Sequence, residues 1–243
     1  MDRDNAIDGF YIIERNSSGD AVKYFIRFIA FAMFYLVVGG LTSGRWDWLG
    51  SWLYTFLFAG GIGAQFVLLS LVSPELLKER SADARNAKNW DRLLMPLTVM
   101  VLPLAALVVA GLDLRFGWTR PLRVSAQLIG AAAGAASYGL TLTAMGHNRF
   151  FSMLVRIQTE RGHQVETSGP YRWVRHPGYL GILGFFCATP LALGSVSSGA
   201  PAFLAVALHL LRTALEDRTL MEELPGYQGY AERVRFRLIP GIW

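Results

Sequence analysis

The chain has 243 residues, a net charge of +5, 53% hydrophobic and only 17% charged residues, and a mean hydropathy of +0.33. This composition is too apolar for an ordinary soluble domain of this length and indicates an integral membrane protein. Cys187 is the only cysteine, which excludes an intramolecular disulfide and a cysteine-cluster metal site.

Six apolar segments are predicted to enter the membrane, since about 20 apolar residues cross a bilayer. The first four cover residues 22–41, 49–72, 93–112 and 124–146. The uncharged stretch 178–211 is interrupted by the turn formers of residues 194–201, and it is predicted to form two short helices in a hairpin. The predicted fold is an all-α integral membrane protein.

The chain divides into three parts by composition. Residues 1–21 are polar and lack a signal-peptide pattern, so we expect a cytoplasmic N-terminal segment. Residues 22–146 form a four-span scaffold in which Gly130 and Gly134 give a small-residue face for close helix packing. Residues 147–243 carry nearly all the candidate chemistry and are predicted to be a catalytic region facing the cytoplasm.

Charge asymmetry predicts the orientation of the chain. On the six-segment topology, 18 of the 23 Lys and Arg residues lie on one side of the membrane. The positive-inside rule then places both termini in the cytoplasm and predicts a multi-pass protein of the cell (inner) membrane. The same asymmetry accounts for the basic character without nucleic-acid binding. The connection 73–92 is expected to be solvated, and the arginines of the C-terminal tail, such as Arg237, are expected to contact lipid headgroups.

A polar, cationic motif at the start of the predicted hairpin is the first candidate site. Residues 168–181 read SGPYRWVRHPGYLG, which places Arg175 and His176 at a membrane boundary. Charge beside hydrocarbon tends to mark function. Pro177 suits the first turn of a helix, whose free N–H groups could bind an anion. The alternative is an interfacial anchor without a site.

A second charged cluster lies at the far end of the hairpin. His209, Arg212 and Glu216 share one helix face because they are spaced i, i+3 and i+7. The alternative for Arg212 and Glu216 is an i, i+4 salt bridge at the membrane surface. His209 alone favours a core histidine whose hydrogen bonds are satisfied. No metal-ligand pattern and no GxGxxG motif of a Rossmann domain are present.

Together the two motifs resemble the isoprenylcysteine carboxyl methyltransferase family, with phospholipid methyltransferases as more distant relatives. The similarity covers roughly residues 148–243 and is carried by GPYRWVRHPGYLG and by RTALEDRTLMEELPGYQGY. It implies a membrane enzyme that binds S-adenosylmethionine without a Rossmann domain, in a cytoplasm-facing pocket. It also implies catalytic roles for Arg212, facing the acceptor, and Glu216, contacting the cofactor. Asp217 stands where the family usually has Glu.

The resemblance further implies which residues line the cofactor. They are Gln158, His163, Gln164, Val165, Glu166, Tyr171, His176, Pro177, Gly178, Tyr179 and Glu216.

Methylation of a lipid-like acceptor that enters from the bilayer is the function these features predict. A carboxylate acceptor, such as a prenylated cysteine, needs no general base and could be held by a bidentate pair with Arg212. A phospholipid amine would need a group to take its proton, for which Glu216 and His209 are the nearest candidates. The remaining alternatives are a sterol-reductase-like NADPH enzyme and a membrane scaffold without enzymatic activity.

Overall fold

The computed structural model of the chain describes residue 26 and residues 28–72 and 87–243, and within these ranges all regular structure is helical. The N-terminal segment 1–21 and most of the connection 73–92 lie outside the described residues. The helices are α1 (Phe28–Ser43), α2 (Leu49–Val72), α3 (Asn89–Pro96), α4 (Leu102–Phe116), α5 (Val124–His147), α6 (Pro177–Leu193), α7 (Gly199–Glu223) and α8 (Tyr227–Arg233), with a π-helical turn at Leu97–Val101 and 3₁₀ turns at Thr159–Arg161 and Gly169–Arg172.

Three helical segments are long and apolar enough to cross a membrane. They are α2, the continuous segment Asn89–Phe116 that joins α3 to α4, and α5. These segments coincide with the second, third and fourth predicted spans. The described part of α1 and helix α6 are apolar but shorter. The all-helical fold is therefore confirmed for the described residues, with three helices that could span a membrane, while the total of six segments and their orientation stay predictions.

The hairpin of α6 and α7 turns at Gly194, which adopts the left-handed conformation with a φ of 73°. Glycine has no Cβ and adopts this conformation without steric cost. The predicted break is therefore confirmed, but the prediction of two short helices is wrong for the second arm. Helix α7 has 25 residues because it continues past the apolar stretch through Arg212 to Glu223.

Helices α5 and α6 pack closely because small residues line their contact. A Cβ on Gly130 would come within 2.4 Å of the backbone nitrogen of Ala192, and one on Gly181 would come equally close to Thr141 Oγ1. The predicted small-residue face thus allows the close helix contact at Gly130, whereas a Cβ on Gly134 would make only ordinary van der Waals contacts. This packing holds the start of α6, where the RHP motif lies, against the end of α5.

Candidate active site

A cavity lies between the loop that follows α5, the first turns of α6 and the second half of α7. All the sequence-predicted site residues except Gln158 and Pro177 line it: His163, Gln164, Val165, Glu166, Tyr171, His176, Gly178, Tyr179, Arg212 and Glu216. Gln158 is fully buried inside the loop, where its side chain donates to Phe150 O over 2.8 Å. Pro177 is the first residue of α6, as predicted.

The loop between α5 and α6 closes one side of this cavity. The ring of His163 stacks on Phe150 with 4.6 Å between centroids, and its Nδ1 lies 3.3 Å from the backbone N–H of Gln158. Burial, with the positive charges of Arg161 and Arg156, lowers the pKa of His163 to about 4. The imidazole is therefore neutral at pH 7, and its Nδ1 accepts the hydrogen bond from Gln158.

Asp217 joins the RHP motif to the C-terminal part of the chain. Its carboxylate accepts two hydrogen bonds from Arg175, at 2.8 and 2.9 Å, and lies 3.0 Å from Nε2 of His176. It also accepts from the hydroxyl of Tyr227 at 2.9 Å and from Nε of Arg237 at 2.7 Å. Arg237, which was expected to contact lipid headgroups, thus also has a buried carboxylate as the partner of its Nε.

The C-terminal tail is fastened to the same motif through the backbone. The N–H groups of Arg175 and His176 each donate over 2.9 Å to carbonyls of the tail, at Phe236 and Arg237. Nη1 of Arg175 also donates to the carbonyls of Val234 and Arg235. Arg175 therefore stabilises the frame of the site, and the structure supports no catalytic role for it.

Two buried tyrosines complete the frame behind the motif. Tyr230 donates over 2.7 Å to the backbone carbonyl of Tyr171. Burial raises the pKa of both phenols above the ordinary value, and nearby carboxylates act in the same direction. Both side chains are therefore neutral hydroxyls near pH 7. Tyr171 and Tyr230 line the cavity.

Glu216 presents a carboxylate to the cavity without a Lys or Arg partner within 4.0 Å among the described residues. Its Oε2 accepts a 2.6 Å hydrogen bond from the hydroxyl of Tyr179, and its Oε1 lies 4.0 Å from Nδ1 of His176. The side chain is about a quarter exposed, unlike the buried Asp217 beside it. Glu216 is therefore an acidic group on helix α7 that is available to a cationic ligand.

Arg212 is paired with Asp91 of α3, and the alternative of an i, i+4 salt bridge with Glu216 is wrong. Its Nε and Nη2 donate to the two carboxylate oxygens of Asp91 over 2.6 and 3.0 Å. Nη2 also donates to Met153 O, and the guanidinium lies 5.5 Å from the ring centre of Tyr179. Asp91 has no exposed surface, so this is a buried, bidentate ion pair.

Sequence reasoning missed Asp91 because it lies in a connection that was expected to be solvated. Its Oδ2 also accepts the N–H of Val155 over 2.7 Å, so it fastens the α5–α6 loop as well as Arg212. One signal was available, because a carboxylate directly before an uncharged apolar span is charge beside hydrocarbon, like the RHP motif.

His209 is buried with no exposed surface, but it is not the satisfied core histidine that the sequence favoured. Its Nδ1 lies 2.9 Å from the carbonyl oxygen of Ala205, and its Nε2 has no hydrogen-bond partner among the described residues. The ring lines the cavity between the aromatic rings of Tyr179 and Phe186, whose centroids lie 6.1 and 5.4 Å away.

Away from this polar region the cavity is lined by apolar and aromatic side chains. Its walls include Phe58 of α2, Val99 of the π-helical turn, and Phe185 and Phe186 of α6. These residues belong to helices that the composition assigns to the membrane. The cavity therefore combines a polar part around Glu216 and Arg212 with an aromatic part suited to a hydrocarbon chain.

The comparison with known proteins agrees with this arrangement. Residues 134–222, from the middle of α5 almost to the end of α7, match the model of the Isoprenylcysteine carboxyl methyltransferase (ICMT) family. No curated protein matches the chain. The matched segment contains every sequence-predicted site residue, and the resemblance drawn from the two motifs is confirmed. Residues 134–222 thus form a domain of the isoprenylcysteine carboxyl methyltransferase family, which implies a membrane methyltransferase.

Proposed function

We propose that this protein transfers a methyl group from S-adenosylmethionine to a lipid-like acceptor that enters its cavity from the bilayer. The observation that carries the proposal is the position of Glu216, a carboxylate without a Lys or Arg partner among the described residues, on the wall of a cavity that also has apolar and aromatic walls. An acidic group in such surroundings favours a cationic ligand. S-adenosylmethionine carries a sulfonium and an ammonium group.

The residues around the cavity fit this cofactor. Bound S-adenosylmethionine supplies a methyl group on cationic sulfur, which is already activated for in-line transfer. Glu216 would hold its cationic end, while the loop residues from His163 to Glu166 would line the remainder together with Tyr171 and Tyr179. Since the methyl donor is activated, these residues have mainly to bind, orient and exclude water.

Two acceptor chemistries follow from the residues. A carboxylate, such as that of a prenylated cysteine, was expected to make a bidentate pair with Arg212. Because Asp91 holds Nε and Nη2, only Nη1 makes no hydrogen bond among the described residues, and a carboxylate would be held there. An amine, as in a phospholipid headgroup, is favoured by the neutralisation of Arg212 and by the unpaired Nε2 of His209.

The proposal also covers the setting of the reaction. The cofactor would enter from the cytoplasm, and the lipid acceptor would enter laterally, near the α2 and π-helical walls of the cavity. Both termini would then be cytoplasmic, with the protein in the cell membrane. Nucleic acid has no place in this function.

Calorimetry of the detergent-purified protein with S-adenosylmethionine tests the proposal. Glu216→Gln should weaken binding about 10- to 100-fold, since a hydrogen bond to a charged group contributes about 1.5–3 kcal/mol. Glu222→Gln is the matched control, because Glu222 lies on the same helix but is exposed and paired with Arg218. Binding of NADPH without binding of S-adenosylmethionine would instead support the reductase alternative, and binding of neither would support a scaffold.

A further inference from the structure

His209 carries a hydrogen-bonding atom that the folded chain leaves unused. In the described part of the chain, Nε2 of His209 is one of few buried side-chain atoms without a partner. Leaving such an atom unpaired costs roughly 1–3 kcal/mol, and buried polar atoms are usually paired. His209 lines the cavity, so a ligand in the cavity can provide the missing partner.

The protonation state of this atom follows from the other ring nitrogen. Nδ1 of His209 lies 2.9 Å from the carbonyl oxygen of Ala205, which can only accept a hydrogen bond. Nδ1 must therefore carry the proton, and in the neutral imidazole Nε2 has a free lone pair. What pairs with Nε2 is consequently a hydrogen-bond donor and not a carboxylate.

The charges around His209 also favour a hydrogen-bond donor over a carboxylate. The groups facing it are Tyr179 of α6, Arg212 and Glu216 on its own helix face, and Asp91 of α3. The charge of Arg212 is matched by Asp91, whereas Glu216 has no Lys or Arg partner among the described residues. Glu216 therefore places a carboxylate without a Lys or Arg partner in the polar part of the cavity. A carboxylate acceptor beside Glu216 would be repelled by it.

We propose that Nε2 of His209 accepts the proton of the group that is methylated, so that the acceptor is a lipid whose headgroup carries an N–H or O–H nucleophile. This inference rests on the proposed function and selects between its two acceptor chemistries. The nucleophile's lone pair forms the new bond to the methyl carbon. The carbon–sulfur bond breaks, and its electron pair stays on sulfur, which becomes a neutral thioether. The proton of the nucleophile passes to Nε2, and it is released to water when the methylated product leaves the cavity.

The test uses the purified full-length protein, labelled S-adenosylmethionine and three lipids in mixed micelles. Phosphatidylethanolamine offers an amine, diacylglycerol a hydroxyl, and a long-chain fatty acid a carboxylate without another donor. We expect label in the amine or the hydroxyl lipid, with the two arms identifying which, and none in the fatty acid.

Variants of His209 separate a chemical role from a structural one. His209→Phe fills similar space and removes the unpaired atom, so thermal stability and S-adenosylmethionine binding should be retained while methylation falls 100-fold or more. His209→Gln can accept the hydrogen bond but cannot take up the proton, and it should have intermediate activity. His147→Gln is the control, because His147 also contacts a carbonyl four residues earlier but is exposed and does not line the cavity.

Several results would overturn the inference. Methylation of the fatty acid alone would show that the acceptor is a carboxylate. Equal methylation by the wild-type protein and His209→Phe would show that His209 does not accept the proton. Loss of folding in His209→Phe together with full activity in His209→Gln would assign His209 a structural role. Binding of S-adenosylmethionine without methylation of any of the three lipids would refute the acceptor class alone. No binding at all would refute the proposed function itself.

Discussion

The buried pair of Asp91 and Arg212 gives the sharpest prediction for stability. Asp91→Ala removes the partner of a guanidinium whose side chain is only 6% exposed. It also removes the acceptor of the Val155 N–H, one of two hydrogen bonds that fasten Val155 of the α5–α6 loop to the start of α3.

The expected cost is large for a single substitution. Removing one member of a buried ion pair costs about 3–5 kcal/mol, because the other charge is left uncompensated. For a protein of this size, 1 kcal/mol corresponds to roughly 2–4 °C in Tm. Asp91→Ala should therefore lower Tm by about 6–20 °C. The exposed pair of Arg218 and Glu222 on α7 is the reference, and Glu222→Ala should change stability by no more than about 0.5 kcal/mol.

Thermal unfolding in one detergent, with the double variant included, is the measurement. Replacing both partners, as in Asp91→Leu with Arg212→Met, should recover most of the loss, since apolar residues of similar volume often match a buried ion pair in stability. The reasoning is refuted if Asp91→Ala unfolds at the temperature of the Glu222→Ala control. It is also refuted if the double variant is no more stable than Asp91→Ala.

Two further predictions concern the loop and the frame of the site. Because the pKa of His163 lies at about 4 in the folded protein, below the ordinary value near 6.5, the unfolded chain binds this proton first as the pH falls. The contribution of neutral His163 to stability is therefore complete above about pH 6.5 and lost as the pH falls towards 4. His163→Phe should reduce the fall in Tm between pH 7 and pH 5. An unchanged dependence of Tm on pH would show that His163 is not its cause. Asp217→Asn leaves the buried guanidinium of Arg175 without its counter-charge, so limited proteolysis should cleave the C-terminal tail sooner than in the Glu222→Gln protein. Equal cleavage rates would mean that backbone hydrogen bonds alone hold the tail.

Much of the site could be predicted from the sequence because its residues lie in two continuous motifs. The predicted hairpin places the RHP motif beside the helix face of Arg212 and Glu216. In the structure, residues of both motifs line one cavity. Gln158 was predicted to line the cofactor because the family resemblance implied it. Its side chain instead binds the loop backbone, a choice that depends on the path of that loop.

The partners of the charged groups could not be predicted in this way. Asp91 is 121 residues from Arg212, and no local pattern links them. Whether Arg212 pairs with Glu216, four residues away, or with Asp91 depends on which carboxylate lies closer once α3 packs against α7. The same holds for Arg237, whose partner Asp217 is set by the fold of α8 and the tail.

The sequence by itself determined the class of protein, the apolar helices, the hairpin and the family, because composition and local motifs depend on neighbours along the chain. Only the tertiary structure decided how charge is distributed in the cavity. It neutralises Arg212 with Asp91, leaves Glu216 without a Lys or Arg partner among the described residues and isolates Nε2 of His209. These outcomes depend on distances between atoms that are remote in sequence, since electrostatic and hydrogen-bond energies fall steeply with separation.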